Sequence, residues 1–178
     1  MLIKFLKQVL FIMAILAAQV ALVPNLPGLE NLNPALVALI FCAVVYRFNL
    51  AAVYGIILGL LLDLYSALPF GAMLIGLMLT LYLIYKVYER FLTNKSFYTL
   101  LGLMALATVV YNLIIYFYSV VFTFWQMKDA ALIKQMTVFA VNNFLWQMAL
   151  NLVLTILIFA VFHLVSRRFK AVFIDTTR

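Results

Sequence analysis

Residues 55–71 read GIILGLLLDLYSALPFG, an apolar run that ends at one acid, Asp63, and continues into a polar turn. The strands of a membrane β-barrel alternate polar and apolar residues, and this run does not. It therefore predicts a helix that lies in lipid. Pro69 and Gly71 predict that the segment after the acid is a tight turn.

The whole chain shares this apolar character. Its 178 residues are 69% hydrophobic and 10% charged, whereas soluble domains are roughly 45–50% apolar and about 25% charged. A soluble domain of this size could not bury so much apolar surface. In lipid the backbone must pair its own polar groups, and the nearly continuous apolar runs favour helices over a barrel. The composition predicts an all-α polytopic integral membrane protein, with residues 1–178 as a single transmembrane domain.

Turn residues and charges divide the chain into six predicted transmembrane helices. Asn33 and Pro34 form an N-cap followed by proline at the first helical position. Arg47 divides the apolar stretch that follows into two short helices, and the charged segment 86–96 separates two later ones. The predicted helices cover residues 5–23, 34–46, 50–65, 69–85, 97–125 and 138–165.

The basic residues predict the orientation of these helices. If the N-terminus is cytoplasmic, only Lys128 and Lys134 of the 12 lysines and arginines lie outside. Basic residues concentrate in cytoplasmic loops, so a ten-to-two division predicts a bacterial inner-membrane protein with both termini in the cytoplasm. The ten cytoplasmic residues are Lys4, Lys7, Arg47, Lys86, Arg90, Lys95, Arg167, Arg168, Lys170 and Arg178.

Residues that catalysis or cofactor binding would need are scarce. Asp63 is the only acid within a predicted helix, and His163 is the only histidine, so neither paired aspartates nor a nucleophile with its base can be assembled. No phosphate-binding loop and no metal-ligand cluster is present in the sequence. The basic residues form no clustered face of the kind that binds nucleic acid. We therefore predict no enzymatic activity, no cofactor, no metal and no nucleic-acid partner.

Gly55, Gly59 and Asp63 follow one another at intervals of four residues and lie on one helix face. Small residues allow another helix to approach closely, and an acid within the membrane is a candidate functional group. The carboxylate could dock a partner or a ligand. It could equally bond an amide of a neighbouring helix or turn, and the glycines could equally serve packing within the chain.

The sixth predicted helix carries a polar stripe formed by Asn143, Gln147 and Asn151. Amides that face lipid would leave donors and acceptors unpaired, so the stripe is expected to face the interior. Asn143 and Asp63 are both predicted near the outer membrane surface. We hypothesise a contact between the third and sixth helices through these groups, which Asn112 and Tyr111 of the fifth could join. Hydrogen bonding for stability alone is the alternative.

Residues 55–71 resemble the signature of the rod shape-determining protein MreD family. That signature is a glycine-spaced helix, an aspartate, and a turn with a small residue or proline before a glycine. Gly55, Gly59, Asp63 and Gly71 match it. The chain length, the short second apolar segment, the basic segment 86–95 and the basic tail are similar as well.

The resemblance implies a non-enzymatic subunit of the bacterial elongation machinery, the elongasome, which supports lateral peptidoglycan synthesis. Its implied partners are an MreC-like protein, the MreB filament and the RodA–penicillin-binding-protein synthase, and membrane lipid surrounds it. The implied fold is the six-helix bundle of vitamin-transporter S-components. On this interpretation, a partner segment docks into a cavity edged by the third and sixth helices.

Two other functions remain open from the sequence. The chain could be the substrate-binding S-component of an energy-coupling-factor transporter for a vitamin or a metal. Ala14, Ala17, Ala18 and Ala21 would then face a transport partner, although the outer loops offer few polar groups to close over a vitamin. A lipid-handling or scaffold protein without a defined ligand is the other possibility.

Overall fold

The computed structural model describes the backbone of residues 2–91, 96–126 and 130–165, and the side chains of residues 6–90, 96–125 and 143–164. All regular structure in these ranges is helical, as the composition predicts. The predicted basic tail and Lys95 lie outside the described residues. The helices are α1 (Leu2–Ala17), α2 (Pro34–Val45), α3 (Phe48–Asp63), α4 (Ala72–Phe91), α5 (Phe97–Gln126) and α6 (Ala130–Val165).

Four helical segments of the described chain are long and apolar enough to cross a membrane: Leu6–Asn25, Ala72–Arg90, Phe97–Trp125 and Asn143–Leu164. The first of these continues α1 through a π-helical turn and a short 3-10 turn. α2 and α3 have 12 and 16 residues. Their lengths of about 18 Å and about 24 Å are less than a hydrocarbon core of ~30 Å. The chain is thus a helical membrane protein, whereas six full spans stay a prediction.

α2 and α3 form an antiparallel hairpin around Arg47. Asn33 caps the start of α2, where the sequence predicts a helix start. Arg47 has an extended backbone with φ −154°, so the helix is interrupted there. Leu39 and Gly55 are equally far from Arg47 in sequence and contact each other, as an antiparallel pair requires.

α2 is the central helix of the bundle. Nine of its 12 residues are buried, and it contacts α1, α3, α4, α5 and α6. A helix that is apolar around its whole circumference is stable only when other apolar groups surround it. The helices around α2 expose large apolar side chains on their outer faces, where lipid is the solvent.

The bounds of α4 and α6 differ most from the prediction. α4 begins at Ala72 and not at residue 69, because Gly71 has a φ of 95°, outside the right-handed helical region. α4 also continues past residue 85 to Phe91, through the first part of the charged segment. α6 begins at Ala130, ahead of the predicted residue 138.

Candidate functional site

Asp63 ends α3 and caps the beginning of α4. Its Oδ1 accepts a hydrogen bond from the backbone N–H of Met73 at 2.8 Å, and its Oδ2 accepts one from Leu74 at 3.2 Å. The first N–H groups of a helix have no partner within that helix, and its positive dipole end favours a carboxylate. Only 4% of Asp63 is exposed. Of the two roles left open by the sequence, this geometry matches the acid that bonds neighbouring amides.

Gly55 and Gly59 lie where α3 packs against α4. A Cβ atom on Gly59 would lie 2.7 Å from Leu74 Cα, and one on Gly55 would lie 2.9 Å from Met78 Sδ. The absence of these two side chains therefore sets the distance between the helices. The glycine face is occupied by α4 of the same chain.

Gly71 reverses the chain between α3 and α4. Its φ of 95° lies in the left-handed region, which glycine adopts without the strain that a Cβ atom causes. The space around it is open, since a Cβ atom there would meet only Ile75 Cδ1, at 4.0 Å. Gly71 is therefore required by the backbone conformation that brings the first turn of α4 to Asp63.

Asn151 of α6 links α5 to residues 26–33, the connection before α2. Its Oδ1 accepts a hydrogen bond from Asn33 N at 3.0 Å, and its Nδ2 donates to Thr108 Oγ1 at 3.1 Å. The Thr108 hydroxyl in turn donates to Met104 O at 3.0 Å. Asn151 and Thr108 are both 0% exposed. Irregular backbone at membrane depth is tolerated when its polar groups are paired by protein in this way.

Asn143 and Trp146, which lie nearer the beginning of α6, bond the same connection before α2. Asn143 Oδ1 accepts a hydrogen bond from Asn31 Nδ2 at 3.3 Å, and Trp146 Nε1 donates to Gly28 O at 2.7 Å. Gln147 is half-buried and forms no hydrogen bond within the described residues. Asn143 thus bonds Asn31, and Asp63 bonds the first turn of α4. The hypothesis of a contact between the third and sixth helices through Asn143 and Asp63 stays a prediction.

Tyr111 of α5 lies between Asp63 and the asparagines. It is buried, and its hydroxyl donates to Met73 Sδ at 3.2 Å. Met73 also donates its backbone N–H to Asp63, so Tyr111 lies beside the cap of α4. Through Tyr111 and Thr108, α5 therefore contacts both the beginning of α4 and Asn151 of α6. We call these residues the polar cluster: Asn33, Asp63, Thr108, Tyr111 and Asn151.

Asp63, Tyr111 and Asn151 were identified from the sequence, whereas Thr108 was missed and Asn33 was assigned only a capping role. Asn33 does accept a hydrogen bond from Leu36 N at 3.0 Å, but its own N–H is also the donor to α6. Asn112, which was expected to join the network, donates to Thr108 O at 2.8 Å. The spacing of Thr108 and Asn112, four residues apart in an apolar helix, was the available signal.

The polar cluster holds helices together and has no groups arranged for bond-breaking chemistry. Its one carboxylate is bonded to backbone amides, and its other side chains are amides and hydroxyls with no base beside them. In the part of the chain that the structure describes, no three His, Cys, Asp or Glu residues are grouped to hold a metal ion.

Replacing Asn151 with leucine should lower the free energy of unfolding by about 1–3 kcal/mol, because Asn33 N–H and the Thr108 hydroxyl each lose a buried partner. Gln147→Leu, one turn away on the same helix, is the matched control and should change stability little. Reversible unfolding in SDS–detergent mixtures, followed by circular dichroism, measures both. Equal effects of the two substitutions would contradict a stabilising role of the Asn151 hydrogen bonds.

No curated protein and no solved structure is significantly similar to this chain. The family model for the rod shape-determining protein MreD matches residues 1–168, which is nearly the whole chain and includes every residue of the polar cluster. The match also contains the glycine-spaced helix, the capping acid and the Gly71 turn. The chain therefore belongs to the rod shape-determining protein MreD family.

Proposed function

We propose that this chain is a non-enzymatic subunit of the bacterial elongation machinery that binds an MreC-like partner and supports lateral peptidoglycan synthesis. The observation that carries the proposal is the family match over residues 1–168, because the family determines rod shape. The polar cluster is consistent with it, since it orders helices and offers no paired catalytic groups. The MreB filament and the RodA–penicillin-binding-protein synthase are the further partners that we propose.

We place the chain in the inner membrane with both termini in the cytoplasm. Lys7, Arg47, Lys86 and Arg90 support this orientation, because alternating helix directions bring them to one end of the bundle. Asp63 and Gly71 belong to the opposite end. Basic residues collect on the cytoplasmic side, so the polar cluster and the α3–α4 turn face the outer side.

We assign the partner contact to the α3–α4 turn on this outer side. Leu64, Tyr65 and Phe70 are 68%, 66% and 67% exposed, and they surround the buried Asp63 cap. The hydrogen bonds of Asp63 hold this turn rigid. Large apolar side chains on a rigid turn are suited to docking an apolar segment of another protein. On this proposal Asp63 and Gly71 are positioning residues, which hold the turn in the shape that the partner meets.

The α6 stripe has a positioning role in the same proposal. Asn143 and Asn151 bond the connection before α2, and Gln147 lies between them on the helix. That connection faces the same side of the membrane as the α3–α4 turn. Ordered together, the two segments present one outer surface to an MreC-like protein.

Phe70→Ala should reduce recovery of the MreC-like partner in mild detergent several-fold and round the cells, because it removes a central apolar side chain of the turn. Phe117→Ala is the matched control, since Phe117 belongs to α5 and is 70% exposed, about as much as Phe70. Partner recovery and cell width at equal expression are the measurements. Normal recovery and rod shape with Phe70→Ala would reject this docking surface.

A separate measurement tests the function itself. Deletion of the gene that encodes this chain should make the cells round. The MreC-like partner should copurify with the protein. A copurifying vitamin or metal, together with loss of its uptake on deletion and unchanged cell shape, would instead establish a transporter S-component.

A further inference from the structure

A cavity of about 270 Å³ opens at the end of the bundle where α2 turns into α3. The last turns of α4 close its other side. Two polar side chains and four aromatic rings line it: Arg47, Asn49, Tyr46, Phe48, Tyr85 and Tyr88. Its floor is the buried apolar end of α2. None of the groups assigned to the polar cluster or to the α3–α4 turn belongs to it.

The donors of this cavity suit an anion that contains phosphate. Arg47 is exposed, and its guanidinium has no ion-pair or hydrogen-bond partner among the described residues. A guanidinium is a planar set of donors that matches phosphate oxygens, and asparagine and tyrosine side chains add further donors. No acid is found among the described residues that line the cavity. Glu89, the one acid on α4, forms an ion pair with Lys86 at 3.6 Å and also accepts a hydrogen bond from the Tyr85 hydroxyl. The tyrosine donors that remain for an anion are therefore those of Tyr46 and Tyr88.

The aromatic rings place this cavity at the depth of lipid headgroups. The rings of Phe48 and Tyr85 stack with their centroids 4.5 Å apart. The ring of Tyr46 lies against that of Phe162 of α6, with 6.0 Å between the centroids. Tyrosine and other aromatic side chains concentrate where the hydrocarbon core meets water. We therefore expect the phosphates of the surrounding lipids to lie level with Arg47.

An exposed apolar stripe leads from the cavity along α3. Val53 and Ile57 follow Asn49 at intervals of four residues, so all three share one helix face. Val53 and Ile57 are both exposed to the surrounding lipid. A molecule whose phosphate contacts Arg47 could therefore lay acyl chains along α3, which a free phosphate ester cannot do.

We propose that this cavity binds the headgroup of an anionic phospholipid, with Arg47 contacting the phosphate and the acyl chains lying against α3. The volume of about 270 Å³ lies just below the usual range of ligand cavities, about 300–1,000 Å³, so it admits one phosphate with a short headgroup such as glycerol. A lipid held between the α2–α3 turn and α4 would tie the cytoplasmic ends of these helices together.

Native mass spectrometry of the purified full-length protein with equal amounts of phosphatidylglycerol and phosphatidylcholine tests this proposal. The unaltered protein should retain phosphatidylglycerol preferentially. Arg47→Gln should reduce that preference roughly ten-fold, because the positive charge that favours a net anionic headgroup over a zwitterionic one is lost. Tyr88→Phe, which keeps the ring and removes only the hydroxyl, should reduce it less.

Lys7→Gln is the matched control, because it removes one positive charge from the same end of the bundle outside the cavity. The preference for phosphatidylglycerol over phosphatidylcholine should remain unchanged in this variant. An equal loss with Lys7→Gln would show diffuse surface attraction and overturn the proposal, as would an unchanged preference with Arg47→Gln. Displacement of the lipid by equimolar glycerol 3-phosphate would overturn it too, since the ligand would then be a soluble phosphate ester.

Discussion

Gly59→Ala should lower the free energy of unfolding by about 1–3 kcal/mol, the usual cost of overpacking a well-packed interior. The added Cβ atom would lie 2.7 Å from Leu74 Cα, which is backbone and cannot rotate away. α3 and α4 must therefore separate, which also pulls the Asp63 carboxylate from the α4 amides. Alanine is the better helix former by about 0.8–1.0 kcal/mol, so the clash must outweigh a favourable propensity.

Gly102→Ala is the matched control for this prediction. Gly102 lies within α5, and a Cβ atom there would have no neighbour within 4 Å. The substitution should leave stability unchanged or raise it by up to about 1 kcal/mol. Gly76→Ala should be intermediate, because its Cβ atom would meet the flexible end of Ile115. Reversible unfolding in SDS–detergent mixtures ranks the three variants, and equal stabilities of Gly59→Ala and Gly102→Ala would disprove the close α3–α4 contact.

Asp63→Ala should cost about 2–3 kcal/mol of unfolding free energy, because the N–H groups of Met73 and Leu74 both lose a charged acceptor. Asp63→Asn should cost less. Its amide oxygen can still accept one hydrogen bond, although it has no charge to interact with the α4 dipole. The effect should be local at first, with hydrogen exchange accelerating at the start of α4 before the rest of the bundle opens.

Ser66→Ala provides the comparison within the same turn. The Ser66 hydroxyl accepts a single hydrogen bond, from Leu68 N at 3.0 Å, and the residue is only half-buried. Its loss should cost under about 1 kcal/mol. If Asp63→Ala were no more destabilising than Ser66→Ala, the carboxylate would not be a helix cap. Asp63 would then be free for direct contact with a partner.

The two roles of the α3–α4 turn can be separated by these variants. Asp63→Ala should lower both stability and partner recovery, because the cap positions the turn. Phe70→Ala should lower partner recovery alone, since its side chain is mostly exposed and contributes little to the folded core. A reduced recovery with unchanged unfolding therefore identifies the docking surface, independently of the lipid cavity at the opposite end.

The amino-acid sequence by itself determined that lipid surrounds most of the chain, that the chain is helical, and which family it belongs to. These depend on composition and on local pattern: continuous apolar runs must become helices in lipid, and residues 55–71 carry the family signature. The start of α2 was also readable, since Asn33 and Pro34 favour a helix start through their own local geometry. Gly71 was correctly identified as a turn residue.

Only the tertiary structure decided which groups meet. Asp63 and Asn151 were both identified as inward-facing polar residues, yet the sequence could not distinguish a bond between α3 and α6 from bonds to backbone amides. The donors are N–H groups of Met73, Leu74 and Asn33, and every residue except proline carries such a group. Which N–H remains unpaired and faces an acid depends on where helices end and how they rotate against one another, and that is a property of the packed bundle.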